Sequence, residues 1–76
     1  MINKDFGSII SSKRKEHRLS QPQLAALMGE HGLDVKAHSI SKWEKNVNLP
    51  NVMQLFALCE ILEITDFNKT IQIGNK

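Results

Sequence analysis

The sequence predicts an all-α fold: one compact domain of five short helices. Three observations carry this. Apolar residues recur at three- and four-residue spacing through most of the chain, the period of a helix with one buried side. The pattern Ser/Asn-x-x-Gln occurs twice: Ser20–Gln23 reads as a reciprocal capping box, and Asn51 can cap a helix with Gln54 three residues later. Gly32, Asn46, Asn48 and Pro50 punctuate the periodic stretches as turn residues. Seventy-six residues suit a single small domain, and a hydrophobic share of 41% is enough to form a core.

Asp5 is placed to cap a first helix over Phe6–His17. Phe6, Ile10, Arg14 and His17 share one face, with Ile9 beside them. A charge on such a stripe needs a partner, and Arg14 is therefore a residue to explain. Lys13, Arg14, Lys15 and Arg18 gather at the C-terminal end, where positive charge suits the helix dipole and also attracts phosphate.

Leu19 breaks the helix, and Ser20 opens the next. Pro22 falls in its first turn, where the missing N–H is harmless. Leu24, Ala25, Leu27 and Met28 form the buried side. Of the two glycines that follow, Gly32 is the preferred terminator over Gly29, with Leu33 folding back as an apolar contact. Leu33 and Val35 anchor the turn. A third helix starts near Asp34–Lys36, with Asp34 the better cap and Lys36 the alternative, and runs to about Lys45. Ile40 and Trp43 face inward, leaving Ala37, His38, Ser41, Lys42 and Lys45 outside.

Asn46 suits a left-handed helix end, and Asn51 caps the fourth helix. Val52, Leu55, Phe56, Leu58, Cys59 and Leu62 make this the most apolar helix and the expected centre of the core. Cys59 reads as a small buried hydrophobe. Thr65 caps a short fifth helix near 66–69, and residues 70–76 form a tail or the start of a linker. The domain thus spans 1–69.

Several function classes recede. One cysteine forms no internal disulfide, which fits a reducing, cytoplasmic setting. His17, His31, His38 and Cys59 lack metal-ligand spacing, and no glycine-rich phosphate loop or nucleophile motif appears, so neither an enzyme nor a cofactor is expected. The net charge is only +2, but residues 1–45 hold eight Lys/Arg against five Asp/Glu, while 46–76 hold two against three. A basic half suits a polyanion.

The third helix has what a duplex reader requires: a stiff narrow element with base-reaching side chains between phosphate-gripping donors. His38 and Lys42 lie one turn apart and both can donate to guanine. Ala37 offers a methyl to thymine, and Ser41 pairs with a base or a phosphate. Gln21 and the open N–H groups near Ser20 form an anion site. Lys36, Lys45, Asn46 and Asn48 complete the candidate phosphate contacts.

The pieces LSQPQLA, ISKWE, N-x-x-LP-N and an apolar helix ending LEIT, in this register, resemble the phage-repressor type of helix-turn-helix domain (lambda repressor-like, Cro/XRE) over about residues 5–68. The resemblance implies a five-helix fold whose second and third helices form the motif. It implies sequence-specific binding of double-stranded DNA by a bacterial or phage regulator, expected to be a repressor. Residue by residue, it implies phosphate contact by Gln21, base reading by Ala37, His38 and Lys42, and backbone contact by Lys45 and Asn46. It also implies an ion pair between Arg14 and Glu44, which supplies the partner Arg14 lacked. Three departures stand out: a longer turn over 29–35, Arg18 where glycine often closes the first helix, and Lys13 at a usually apolar or small position.

A homodimer through the fifth helix and Ile71 or Ile73 is expected, because a two-fold pair matches a palindromic site. The alternative is a protein-interaction module, such as an antitoxin or adaptor, using the apolar surface of helices four and five. Steep salt dependence separates the two.

Overall fold

The computed structural model describes residues 5–64, which form four helices in the order α1 (Phe6–Glu16), α2 (Gln21–Glu30), α3 (Ala37–Glu44) and α4 (Val52–Leu62). The expected fifth helix and the tail lie outside the described residues. None of the four helices is long and apolar enough to cross a membrane.

The helix starts follow the sequence closely. Asp5 caps α1 by accepting from the Gly7 and Ser8 amides. Ser20 and Asn51 each form a complete capping box with Gln23 and Gln54. Helix α3 differs: Lys36, not Asp34, occupies the cap position, and no side chain caps this helix. The buried Val35 draws the chain into the core just before α3, leaving exposed Asp34 two positions too early.

All four helices end the same way. A residue with positive φ follows the last turn, at Arg18 (59°), Gly32 (82°), Asn46 (62°) and Glu63 (57°). The next amide then reaches back to a carbonyl five residues earlier: Leu19 to Arg14, Leu33 to Met28, Val47 to Lys42 and Ile64 to Cys59. The residue making this bond is apolar each time. Leu19, Leu33 and Ile64 fold into the core, whereas Val47 stays exposed.

Helix α3 packs against both α1 and α2, and α4 closes the other side of α2 and part of α1. Ile10, Leu24, Met28, Ile40, Leu58 and Leu62 are fully buried at the centre. Gly7 lets α1 cross α3 at close range. A Cβ there would lie 2.1 Å from the Glu44 carbonyl oxygen, so only glycine fits.

The role expected of α4 needs correcting. Ala57, Leu58 and Leu62 are buried, but Val52, Met53 and Phe56 are more than 60% exposed. Apolar residues surround this helix, yet α1 and α2 cover one side only. Val52, Met53 and Phe56 are therefore left as an outer strip, with Leu55 and Cys59 half-buried.

Candidate nucleic-acid interface

The α2–turn–α3 unit is a helix-turn-helix. Its turn runs from His31 to Lys36 and is held at both ends. Gly32 ends α2 in the left-handed conformation, and the turn's Leu33 and Val35 reach the core, so the added length is packed rather than loose.

Burial sorts α3 by helical period. Ile40 and Trp43 are buried, at 0% and 3% exposure. On the other side, His38, Lys36, Lys45, Asn46 and Asn48 are exposed, while Ala37, Ser41 and Lys42 are half-buried. All eight belong to one continuous stretch of chain.

Two polar networks hold the last turn of α3. In the first, Arg14 Nε donates to Glu44 Oε2 at 2.6 Å and Arg14 Nη2 to Oε1 at 3.2 Å. The guanidinium's Nη1 donates to the Leu19 carbonyl at 2.7 Å, and Gln21 Nε2 donates to Glu44 Oε1 at 3.0 Å. The end of α1, the start of α2 and the end of α3 thus meet on one carboxylate. Both charged side chains are about nine-tenths buried, at 11% and 9% exposure.

In the second network, Asn46 Oδ1 accepts from the Gly7 amide at 3.1 Å, and Asn46 Nδ2 donates to the Asp5 carboxylate. The Asn46 carboxamide, together with bonds from the first turn of α1, holds the Asp5 carboxyl below its usual range. Elsewhere, burial pushes the Cys59 thiol up, the direction of an inert rather than a reactive sulfur.

The anion site expected at the start of α2 is smaller than the sequence suggested. The capping box uses the Ser20 and Gln23 amides, and Pro22 has none. The Gln21 backbone amide and the second proton of its side-chain amide are what remain. Sequence reasoning also missed Gly7 and the partners of Asn46. The signal for Gly7 was present: glycine in a helix is unfavourable unless something approaches closely.

A cleft of about 140 Å³ lies between the long turn and α4, lined by His31, Leu33, Met53, Phe56, Ala57 and Glu60. Among the described residues, no group of three or more His, Cys, Asp or Glu is placed to hold a metal ion.

A helix-turn-helix family profile (HTH_3) matches residues 10–67. Among solved structures, this chain is similar to the P22 c2 repressor protein crystallised in complex with synthetic operator 9T in the presence of Tl+. The two share 30% sequence identity with a TM-score of 0.71, over 80% of this chain and 85% of that one. Comparison with curated proteins finds no match. With the profile covering most of the sequence and the α2–turn–α3 unit in place, the chain belongs to the HTH_3 helix-turn-helix family.

Proposed function

We propose that this chain is a sequence-specific DNA-binding domain of a repressor-type transcription regulator, with α3 lying in the major groove of a duplex. The observation that carries the reading is the division of α3. Ile40 and Trp43 are spent on the core, which leaves Ala37, His38, Ser41 and Lys42 for the groove. In this reading His38 and Lys42 donate to guanine, Ala37 contacts a thymine methyl, and Ser41 serves a base or a phosphate. Gln21, Lys36, Lys45 and Asn48 grip the backbone on either side; Asn46, expected among them, has its carboxamide bonded to Gly7 and Asp5. The similar repressor is bound to an operator, and that supports the same class of partner here.

The α3 start fits this role. It carries no side-chain cap, and with the Ser39 amide turned back to the Lys36 carbonyl, the Ala37 and His38 N–H groups are left for water or an outside acceptor such as phosphate. The Arg14–Glu44–Gln21 network holds Gln21 beside the end of α3, so the backbone grip and the reading helix move as one body.

The test is duplex association measured across a salt series. DNA binding gives a log-linear fall in affinity whose slope counts the phosphates neutralised. A flat response would reject the reading.

A second reading has its own observation. Val47, Leu49, Val52, Met53 and Phe56 are all more than 60% exposed within ten residues of chain. Residues 46–59 carry no charge at all. Such a strip marks a protein-contact surface, in keeping with a homodimer on a palindromic operator or with an adaptor role. The alternative dimer contact through the fifth helix and tail lies outside the described residues. Sedimentation of the wild type and Phe56→Glu at rising concentration tests the strip: self-association in the first alone supports it, and identical behaviour rejects it.

A further inference from the structure

We propose that Asn46 is a positioning residue, whose carboxamide ties the start of α1 to the end of α3 and thereby sets the angle at which α3 is presented. The proposal rests on the DNA-binding reading for its affinity measurement, but its structural content stands without it.

Asn46 has a φ of 62°, where glycine would be the unstrained choice. Glycine and asparagine both suit that conformation, so the backbone alone does not single out asparagine. What asparagine adds is a side chain with a donor and an acceptor, and both are used across the fold. Oδ1 accepts from the Gly7 amide, and Nδ2 donates to Asp5. The same Asp5 oxygen caps α1, accepting from Gly7 at 3.0 Å and Ser8 at 3.4 Å. One carboxylate–carboxamide pair thus joins the first residues of α1 to the residue that ends α3.

The clamp sits at the pivot of the α1–α3 crossing. Gly7 brings α1 against the carbonyls of Trp43 and Glu44, within the turn that Asn46 ends. The other attachment, Arg14 to Glu44, also grips the last turn of α3. Helix α3 begins without a side-chain cap. Both side-chain attachments thus hold the C-terminal end of α3, while buried Val35 and Ile40 anchor its other half by packing alone; its eight residues span about 12 Å. A small rotation at Asn46 displaces Ala37 and His38, at the far end, more than Lys42.

Three variants of the full chain test this: Asn46→Gly, Asp5→Ser and Asp5→Asn. Each is measured for melting temperature and for affinity toward duplexes selected by the wild type. Asn46→Gly keeps the backbone conformation and removes the clamp. Relaxation of the left-handed backbone offsets part of the bonds lost, so it melts near the wild-type temperature, yet it binds about tenfold more weakly. Its base preference blurs most at the positions read by Ala37 and His38. Asp5→Ser keeps a good helix cap and removes a negative charge. Charge attraction alone would tighten duplex binding, whereas loss of the clamp weakens it. Asp5→Asn keeps both the cap and the acceptor for Asn46, and binds at least as well as the wild type.

Wild-type affinity in both Asn46→Gly and Asp5→Ser would overturn the proposal. If the wild type binds no duplex, the DNA reading fails by itself, and the clamp is judged by NMR residual dipolar couplings. A changed α3 direction relative to α1 in Asn46→Gly upholds it, and an unchanged direction refutes it.

Discussion

Arg14 and Glu44, thirty residues apart in sequence, form a two-pronged ion pair 2.6 Å at its shorter arm, inside a site that leaves each side chain about one-tenth exposed. The pair also receives Gln21 and the Leu19 carbonyl, so three helix ends share it. A desolvated pair of this kind is costly to break from one side, because the remaining charge stays buried. Arg14→Ala should lower stability by about 3 kcal/mol. Lys15→Ala, at an exposed neighbour, should change it by less than about 0.5 kcal/mol. Urea melts of both variants check this, and equal midpoints would remove the pair from its structural role.

Gly7→Ala reverses the usual rule for helices. In an open helix the change would stabilise by roughly 1 kcal/mol. Here the new Cβ meets the Glu44 carbonyl oxygen at 2.1 Å, a backbone atom with no rotamer to escape into. The α1–α3 crossing must open, at a cost of about 3 kcal/mol. A thermal melt at or above the wild-type midpoint would show that the crossing is looser than described.

The helix ends at Arg18 and Glu63 store strain. A non-glycine residue in the left-handed region costs about 1 kcal/mol. Arg18→Gly should therefore raise stability by about 0.5–1 kcal/mol. Glu63→Gly should gain less, because Glu63 also faces His17 at 3.6 Å across an exposed pair. Denaturation of the two variants side by side tests the ranking. A loss in Arg18→Gly would mean that its side chain contributes more than its backbone costs.

Much of this molecule was legible in its sequence, for identifiable reasons. The capping boxes at Ser20 and Asn51 are local, involving residues three apart, so no knowledge of the rest of the chain was needed. Ile40 and Trp43 sit inside because helical period alone separates them from His38 and Lys42. The misreadings share a cause as well. Phe56 and Val52 are as apolar as Leu58, and only the arrangement of α1 and α2 decides which side of α4 is covered. Asp34 is the better cap by residue type, but burial of Val35 sets where α3 starts. The Asn46 clamp spans 41 residues and depends on the crossing that Gly7 permits, which no local pattern encodes.

Acid titration has a definite sign at Asp5. Its folded pKa lies below the ordinary value of 3.8, chiefly through the Asn46 amide. The stabilisation it provides is therefore complete above pH 3.8 and is lost as pH falls through the lower, folded value. The stability gap between the wild type and Asp5→Ala should be widest near neutrality and narrow on the acid side. A gap that widens with acid would have the wrong sign for a depressed carboxylate.

On the proposed function, the outer side of α3 reads base pairs. This is tested most directly by selecting bound duplexes from a random pool with the wild type, His38→Ala and Lys42→Ala. Recovery of a shared sequence by the wild type, with preference relaxed at particular base pairs in each variant, is the predicted result. A wild type that enriches no sequence, or variants that lose affinity evenly over all sequences, would contradict it.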